Sequence, residues 1–198
     1  MDSIEIINSF KEIIPKNIEI SLNKYSDELL DEKISLALPD SFKGKRKEEW
    51  IASRFSLLSI DETLDLKTLS FPHNFISLSH SKGFGFAAIG EKAYRGLGVD
   101  IEIERLPKEG SEKFFLTDVE QANIPKADWE ESLLVYWSIK ESVFKADQNN
   151  KGKSLLGYEV ISIQKDRGII RSLDENAKYE FFFLQRNTSV ISLAYKVI

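Results

Sequence analysis

The order of its segments most constrains what this chain can fold into. A helical stretch followed by strands occurs twice, with a turn-rich stretch between the two runs. In the first run, "DSFKGKRKEEWIASRFSLLSI" predicts a helix from about Phe42, with Pro39, Asp40 and Ser41 as its start signal. "NFISLSHS" and "GFGFAAIG" read as two strands joined by a polar turn around Ser81, Lys82 and Gly83, and "GLGVDIEIE" as a third. The alternating "IEISL", Ile18 to Leu22, precedes them. In the second run, "SEKFFLTDVEQAN" and "ADWEESLLVYWSIKESVFKADQ" read as helices. After the break "NNKGKSLLG" come the strands "GYEVISIQ", "GIIRSL", "KYEFFFLQ" and "SVISLAYKVI". The intervening "RLPKEGSEKF" has turn composition. This order predicts an α+β fold in two halves, residues 1–104 and 105–198, without a residue-level repeat.

Composition narrows the function. With 198 residues, 42% of them hydrophobic, the chain can bury a sizeable core. A formal net charge of −5 argues against general affinity for nucleic acid, so any polyanion must meet a local basic cluster. The absence of cysteine excludes disulfides, thiolate zinc sites and a cysteine nucleophile. "MDSIEIINSFKEIIPKN" lacks the basic start and long apolar run of a secretory signal, and no apolar run is long enough to span a bilayer. A soluble, cytoplasmic protein with no membrane partner is the expectation.

Two stretches ask for one site. In "GVDIEIE" a strand sets Asp100, Glu102 and Glu104 on one side and Val99, Ile101 and Ile103 on the other. The acidic row is either a solvated face or a set of carboxylates offset by a cation. In "YWSIKESVFKA" Trp137, Glu141 and Lys145 follow at i, i+4 spacing beside a buried face marked by Leu133, Trp137 and Phe144. Alone, Glu141 and Lys145 read as a surface pair. Together, the stretches offer carboxylate oxygens for Mg²⁺ and a lysine for phosphate. Glu104, one strand step further along, falls outside that group. A third element, "LSHSKG", puts Ser79, His80 and Ser81 at a strand end, where short polar side chains and free N–H groups bind phosphate. His73, beside Pro72, reads as a loop residue.

With "SLSHS", "GVDIE" and "WSIKESVFKA" in this order, the sequence resembles the 4′-phosphopantetheinyl transferase superfamily, in particular its full-length, two-half type. "FFLTDVE" fits as well, with Phe115 and Glu120 matching a family pattern. The resemblance implies two similar α/β halves related by pseudo-two-fold symmetry, with a coenzyme A cleft between them. It implies Mg²⁺-dependent transfer of the phosphopantetheine arm of coenzyme A to a serine of an apo acyl or peptidyl carrier protein, releasing adenosine 3′,5′-bisphosphate. By the same resemblance, Asp100, Glu102 and Glu141 match the metal-binding carboxylates. Lys145 matches a pyrophosphate contact, with Lys140 as a second basic candidate. His80, with Ser79 beside it, matches a histidine near the 3′-phosphate. "KRKEEWIASR" resembles a family segment that makes Lys45, Arg46 and Arg54 candidates for nucleotide phosphates. Glu141 and Lys145 are the catalytic candidates, Glu141 as proton acceptor and Lys145 as a fixed charge. The chain lacks the G-K-P turn that many relatives carry before the S-H-S strand. Two halves in one chain suit a monomer. The alternatives are a Mg²⁺-dependent phosphohydrolase and a non-catalytic coenzyme A-binding module.

Overall fold

The computed structural model describes residues 3–105 and 107–197. Met1, Asp2, Leu106 and Ile198 lie outside the described residues, and with them the first residues of the N-terminal reading and the last of the final expected strand. Helix α1 (Ser3–Ile13) opens the chain, an addition to the expected elements. Its Ile6, Ile7 and Phe10, with Ile14 just beyond, recur at helical spacing and are buried. Full burial of such side chains stabilises by roughly 1.5–3 kcal/mol each.

Strand β1 (Ile18–Lys24) follows, then the short helix α2 (Glu32–Ala37), capped by the Asp31 carboxylate, which accepts from Ile34 N at 2.8 Å. Helix α3 spans Gly44–Leu58. It starts two residues later than expected, because Phe42 N bonds to Pro39 O in a turn. Strands β2 (Ile76–Ser81) and β3 (Phe84–Gly90) form a hairpin. Its two-residue turn places Lys82 and Gly83 at φ +47° and +80°, the left-handed geometry that a tight hairpin needs. The first sheet has the order β1-β3-β2, all antiparallel.

Strand β4 (Leu97–Glu102) then crosses to the second sheet, where it pairs with β8. That sheet has the order β4-β8-β7-β6-β5, with β5 (Tyr158–Gln164), β6 (Arg167–Ser172), β7 (Lys178–Arg186) and β8 (Ser189–Lys196) forming a meander. The mixed helix and sheet architecture is α+β, as expected. "SEKFFLTDVEQAN" is not one helix. A single 3₁₀ turn at Glu112–Phe114 is followed by α4 (Asp118–Asn123), because extended Thr117 starts a new capping box with Glu120. Helix α5 (Trp129–Ala146) is the long helix of the second run and packs on β4, β7 and β8. No helix among the described residues is long and apolar enough to cross a membrane.

One apolar cluster spans the junction near residue 105. It joins Phe10 of α1, Ile20 of β1, Phe86 of β3, Val99 and Ile101 of β4, Phe182 of β7 and Leu193 of β8. A second cluster packs Leu134, Ile139, Val143 and Ala146 of α5 on the other face of the five-stranded sheet. Trp137 and Phe144, expected on the buried face, are only partly buried. β4 is buried along its whole length, one side in the shared core and the other under α5.

Candidate active site

The seam between β2 and β4 builds the site. Ser77, Ser79 and Ser81 alternate along β2 and so share one face. Ser77 Oγ accepts from Val99 N at 2.9 Å, and Ser81 Oγ accepts from Ile103 N at 3.2 Å. Serine hydroxyls thus satisfy N–H groups of β4 and of Ile103 just past its end. Between them, Ser79 Oγ donates to Asp100 Oδ1 at 2.9 Å.

Helix α5 closes over β4 because glycine lets it. A Cβ on Gly98 would stand 1.8 Å from Ser142 O, and one on Gly96 would stand 2.1 Å from Ala146 O. These glycines serve close helix–strand packing. The face of β4 that carries Gly98, Asp100 and Glu102 therefore meets α5. Lys145 Nζ donates to Asp100 Oδ1 at 2.8 Å, Ser79 Oγ at 3.0 Å and Val99 O at 3.0 Å, so its ammonium ties α5 to both strands. Trp137 Nε1 donates to Glu102 Oε1 at 2.8 Å, and Arg105 Nη1 donates to the same oxygen at 2.6 Å.

The acidic row is not a solvated face. Asp100 and Glu102 are buried, while Glu104 leaves the strand with φ +43° and lies exposed. Burial raises the pKa of Glu102, and Asp100 adds to that, against the Arg105 and Trp137 contacts. Burial likewise raises Glu141, opposed by Lys145 and reinforced by Asp100 and Glu102. Asp100 Oδ2 is buried with no hydrogen-bond partner among the described residues. An unmet buried acceptor costs about 1–3 kcal/mol, more when charged.

This donor set fits a hard divalent cation. It is all oxygen, it carries excess negative charge, and it holds an unpartnered carboxylate oxygen. Among the described residues no three acidic or histidine side chains stand in a ready metal cage. Magnesium needs fewer, since it is usually held by one or two carboxylates together with water and substrate phosphates.

Two cavities flank His80. One of ≈ 330 Å³ is lined by Lys45, Glu49, Lys82, Asp100, Glu102 and Arg105, with His80 at its edge. The other, of ≈ 360 Å³, is lined by Arg54, Phe71, Leu78, Lys145 and Asn150, again with His80. His80 Nδ1 stands 3.3 Å from Glu49 Oε2. Burial lowers the His80 pKa, with Lys145 and Arg54 acting the same way and Glu49 and Asp100 opposing. Burial also lowers Arg54, to about 10, which leaves it charged at neutral pH. A larger cavity, ≈ 640 Å³, lies among α1 and the β2–β3 and β7–β8 turns. None of Asp100, Glu102 and Glu141 lines it, so chemistry and not size picks out the site.

Most of the expected site residues therefore gather here: Ser79, His80, Asp100, Glu102, Glu141, Lys145 and Arg54, with Lys45 at the rim. Lys140 does not. It is 0% exposed, and its ammonium donates to Phe115 O and Glu120 Oε2, both at 2.6 Å. Five residues before Lys145 on a helix, it faces a different neighbour. Arg46 lies over the Phe42 ring at 4.1 Å and lines neither cavity. Glu120 is neither in the cluster nor on a surface; it is buried at the start of α4. Phe115 is in the core, whereas its neighbour Phe114 is 64% exposed. Sequence reasoning missed Glu49, Arg105 and the hydrogen-bonding role of Trp137. Glu49 lies within the segment "KRKEEWIASR", and Arg105 opens a stretch of turn composition.

A family model now decides the kinship: the 4′-phosphopantetheinyl transferase superfamily matches residues 96–194, from the approach glycines through α5 to β8. The chain belongs to that superfamily. Its members carry out phosphopantetheinyl transfer with coenzyme A as substrate and carrier proteins as acceptors. The matched span contains Asp100, Glu102, Glu141 and Lys145, whereas His80, Ser79 and Arg54 come from the stretch before it. No curated protein matches the chain.

Proposed function

We propose that this phosphopantetheinyl transferase moves the 4′-phosphopantetheine arm of coenzyme A to a serine of an apo acyl or peptidyl carrier protein, with Mg²⁺, releasing adenosine 3′,5′-bisphosphate. The observation that carries this reading is the convergence of β2, β4 and α5 on Asp100, whose Oδ2 is buried and unpartnered beside Lys145. Asp100, Glu102 and Glu141 would hold the cation. Bound there, Mg²⁺ would supply positive charge against the pyrophosphate oxygens.

The chain's own groups do the rest. The carrier serine oxygen bonds to the phosphorus that bears pantetheine, and the bond from that phosphorus to the pyrophosphate bridging oxygen breaks. Glu141 accepts the serine hydroxyl proton. Lys145 holds a positive charge beside the leaving phosphate. His80, Ser79 and Arg54 bind phosphates of the nucleotide, with Lys45 at the rim. Division into residues 1–104 and 105–198 belongs to the same reading, with coenzyme A held where residues of both segments meet. We infer that the protein works as a monomer in the cytoplasm.

The test is incubation with coenzyme A, Mg²⁺ and an apo carrier protein, followed by mass spectrometry. A carrier heavier by one phosphopantetheine arm is expected, and Glu141→Ala should abolish it while the variant stays folded. Coenzyme A consumed without a labelled carrier would point to a phosphohydrolase. Binding without consumption would point to a non-catalytic module.

A further inference from the structure

Both donors that reach Glu102 choose the same oxygen. Trp137 Nε1 stands 2.8 Å and Arg105 Nη1 2.6 Å from Oε1. An indole N–H only donates, so at this oxygen the carboxylate must accept. The indole is itself held on two sides. Phe115 meets it edge to face at 5.4 Å, and the Arg105 guanidinium lies 5.4 Å over its ring. Arg105 is anchored through its backbone, since its N donates to Thr188 O at 3.0 Å. The preceding Glu104 N donates to Ser189 Oγ at 2.9 Å. Asn187, at φ +52°, turns the β7–β8 hairpin that presents these acceptors. Glu102 is thus gripped by two donors whose own positions are fixed by the core and by a hairpin.

We propose that Trp137 and Arg105 are positioning residues for Glu102. They occupy Oε1 and turn the carboxylate so that Oε2 is the oxygen offered to the divalent cation. A long carboxylate side chain free to rotate would lose conformational entropy on binding a metal; one already held has lost it on folding. Partners that orient a ligating group in this way typically contribute 10–100-fold to metal affinity. The inference rests on the reading of Asp100, Glu102 and Glu141 as the cation site.

The test titrates Mn²⁺ into the full chain with coenzyme A present and reads free Mn²⁺ by electron paramagnetic resonance. Trp137→Phe keeps an aromatic ring against Phe115 and removes the N–H together with the rest of the indole. It should raise the Mn²⁺ dissociation constant about 10-fold. Arg105→Gln should act in the same direction, and as a surface change it carries the test should Trp137→Phe not fold. Glu102→Gln should weaken binding at least as much, and adding Trp137→Phe to it should change nothing further. If both donor variants stay within about twofold of the parent while Glu102→Gln weakens binding, positioning is overturned and the cation site stands. Additive loss in the Glu102→Gln background also overturns it, because Trp137 would then act elsewhere. If Glu102→Gln leaves Mn²⁺ binding unchanged, or the parent takes up no Mn²⁺, Glu102 is no ligand and the inference falls with that reading.

Discussion

Helix α5 carries two lysine–carboxylate pairs five residues apart, and they differ in what is left over. Lys140 meets Glu120 at 2.6 Å, and Lys145 meets Asp100 at 2.8 Å. Around Glu120 both oxygens are used: Oε1 accepts from Val160 N, and Oε2 accepts from Thr117 N and Lys140. Around Asp100 one oxygen accepts from Ser79 and Lys145, and the other from nothing among the described residues. Lys140 is sealed, whereas the Lys145 side chain is 28% exposed and borders a cavity. A closed pair spends its charges on the fold. An open pair keeps an acceptor and a cation at a cleft, where a ligand can use both.

Mutation of each lysine should separate the two roles. Lys140→Ala leaves Glu120 buried and unpaired, and should destabilise the fold by about 3–5 kcal/mol in urea unfolding. The protein that remains folded should keep its specific transfer activity. Lys145→Ala should lower kcat about 10²–10³-fold and, since its side chain is partly exposed, destabilise the fold less than Lys140→Ala does. An unstable but active Lys145→Ala variant would erase the distinction.

A third pair, past the end of α5, sharpens it. Asp147 accepts from Asn149 N through Oδ1 and from Lys153 and Tyr158 through Oδ2, so it is closed like Glu120. Burial alone would raise its pKa, but the Lys153, Tyr158 and Asn149 bonds outweigh it and hold the group below its ordinary 3.8. The native state therefore binds the proton less readily than the unfolded chain does. Its stabilisation is present above pH 3.8 and is lost as pH falls through the lowered value. Asp147→Asn should cost roughly 1–3 kcal/mol at neutral pH and flatten the stability curve in that acid window, with transfer unchanged.

How much of this was legible follows from the range of each signal. The β2–β3 hairpin, β4, α5 and the four last strands rest on periodicity and turn residues close in sequence, and they stand where the pattern puts them. Spacing also puts Asp100 and Glu102 on one face of their strand and Glu141 and Lys145 near one stripe of their helix, whereas the meeting of the two groups rests on the packing of α5 on β4. Lys140 was misplaced because its neighbours on the helix say nothing about Glu120, which comes from another element. Glu104 was placed by extending an alternation one step past the real strand end. Arg105 was illegible as a site residue because its position depends on the β7–β8 turn, more than 80 residues away.

Gly98 has a consequence for how this site tolerates change. The helix and the strand touch backbone to backbone there, with no side chain in the gap. The spacing between the Asp100 and Glu102 carboxylates and the Glu141 and Lys145 side chains is thereby set by a mechanical stop. A single methyl group at position 98 would therefore pry the jaws of the site apart.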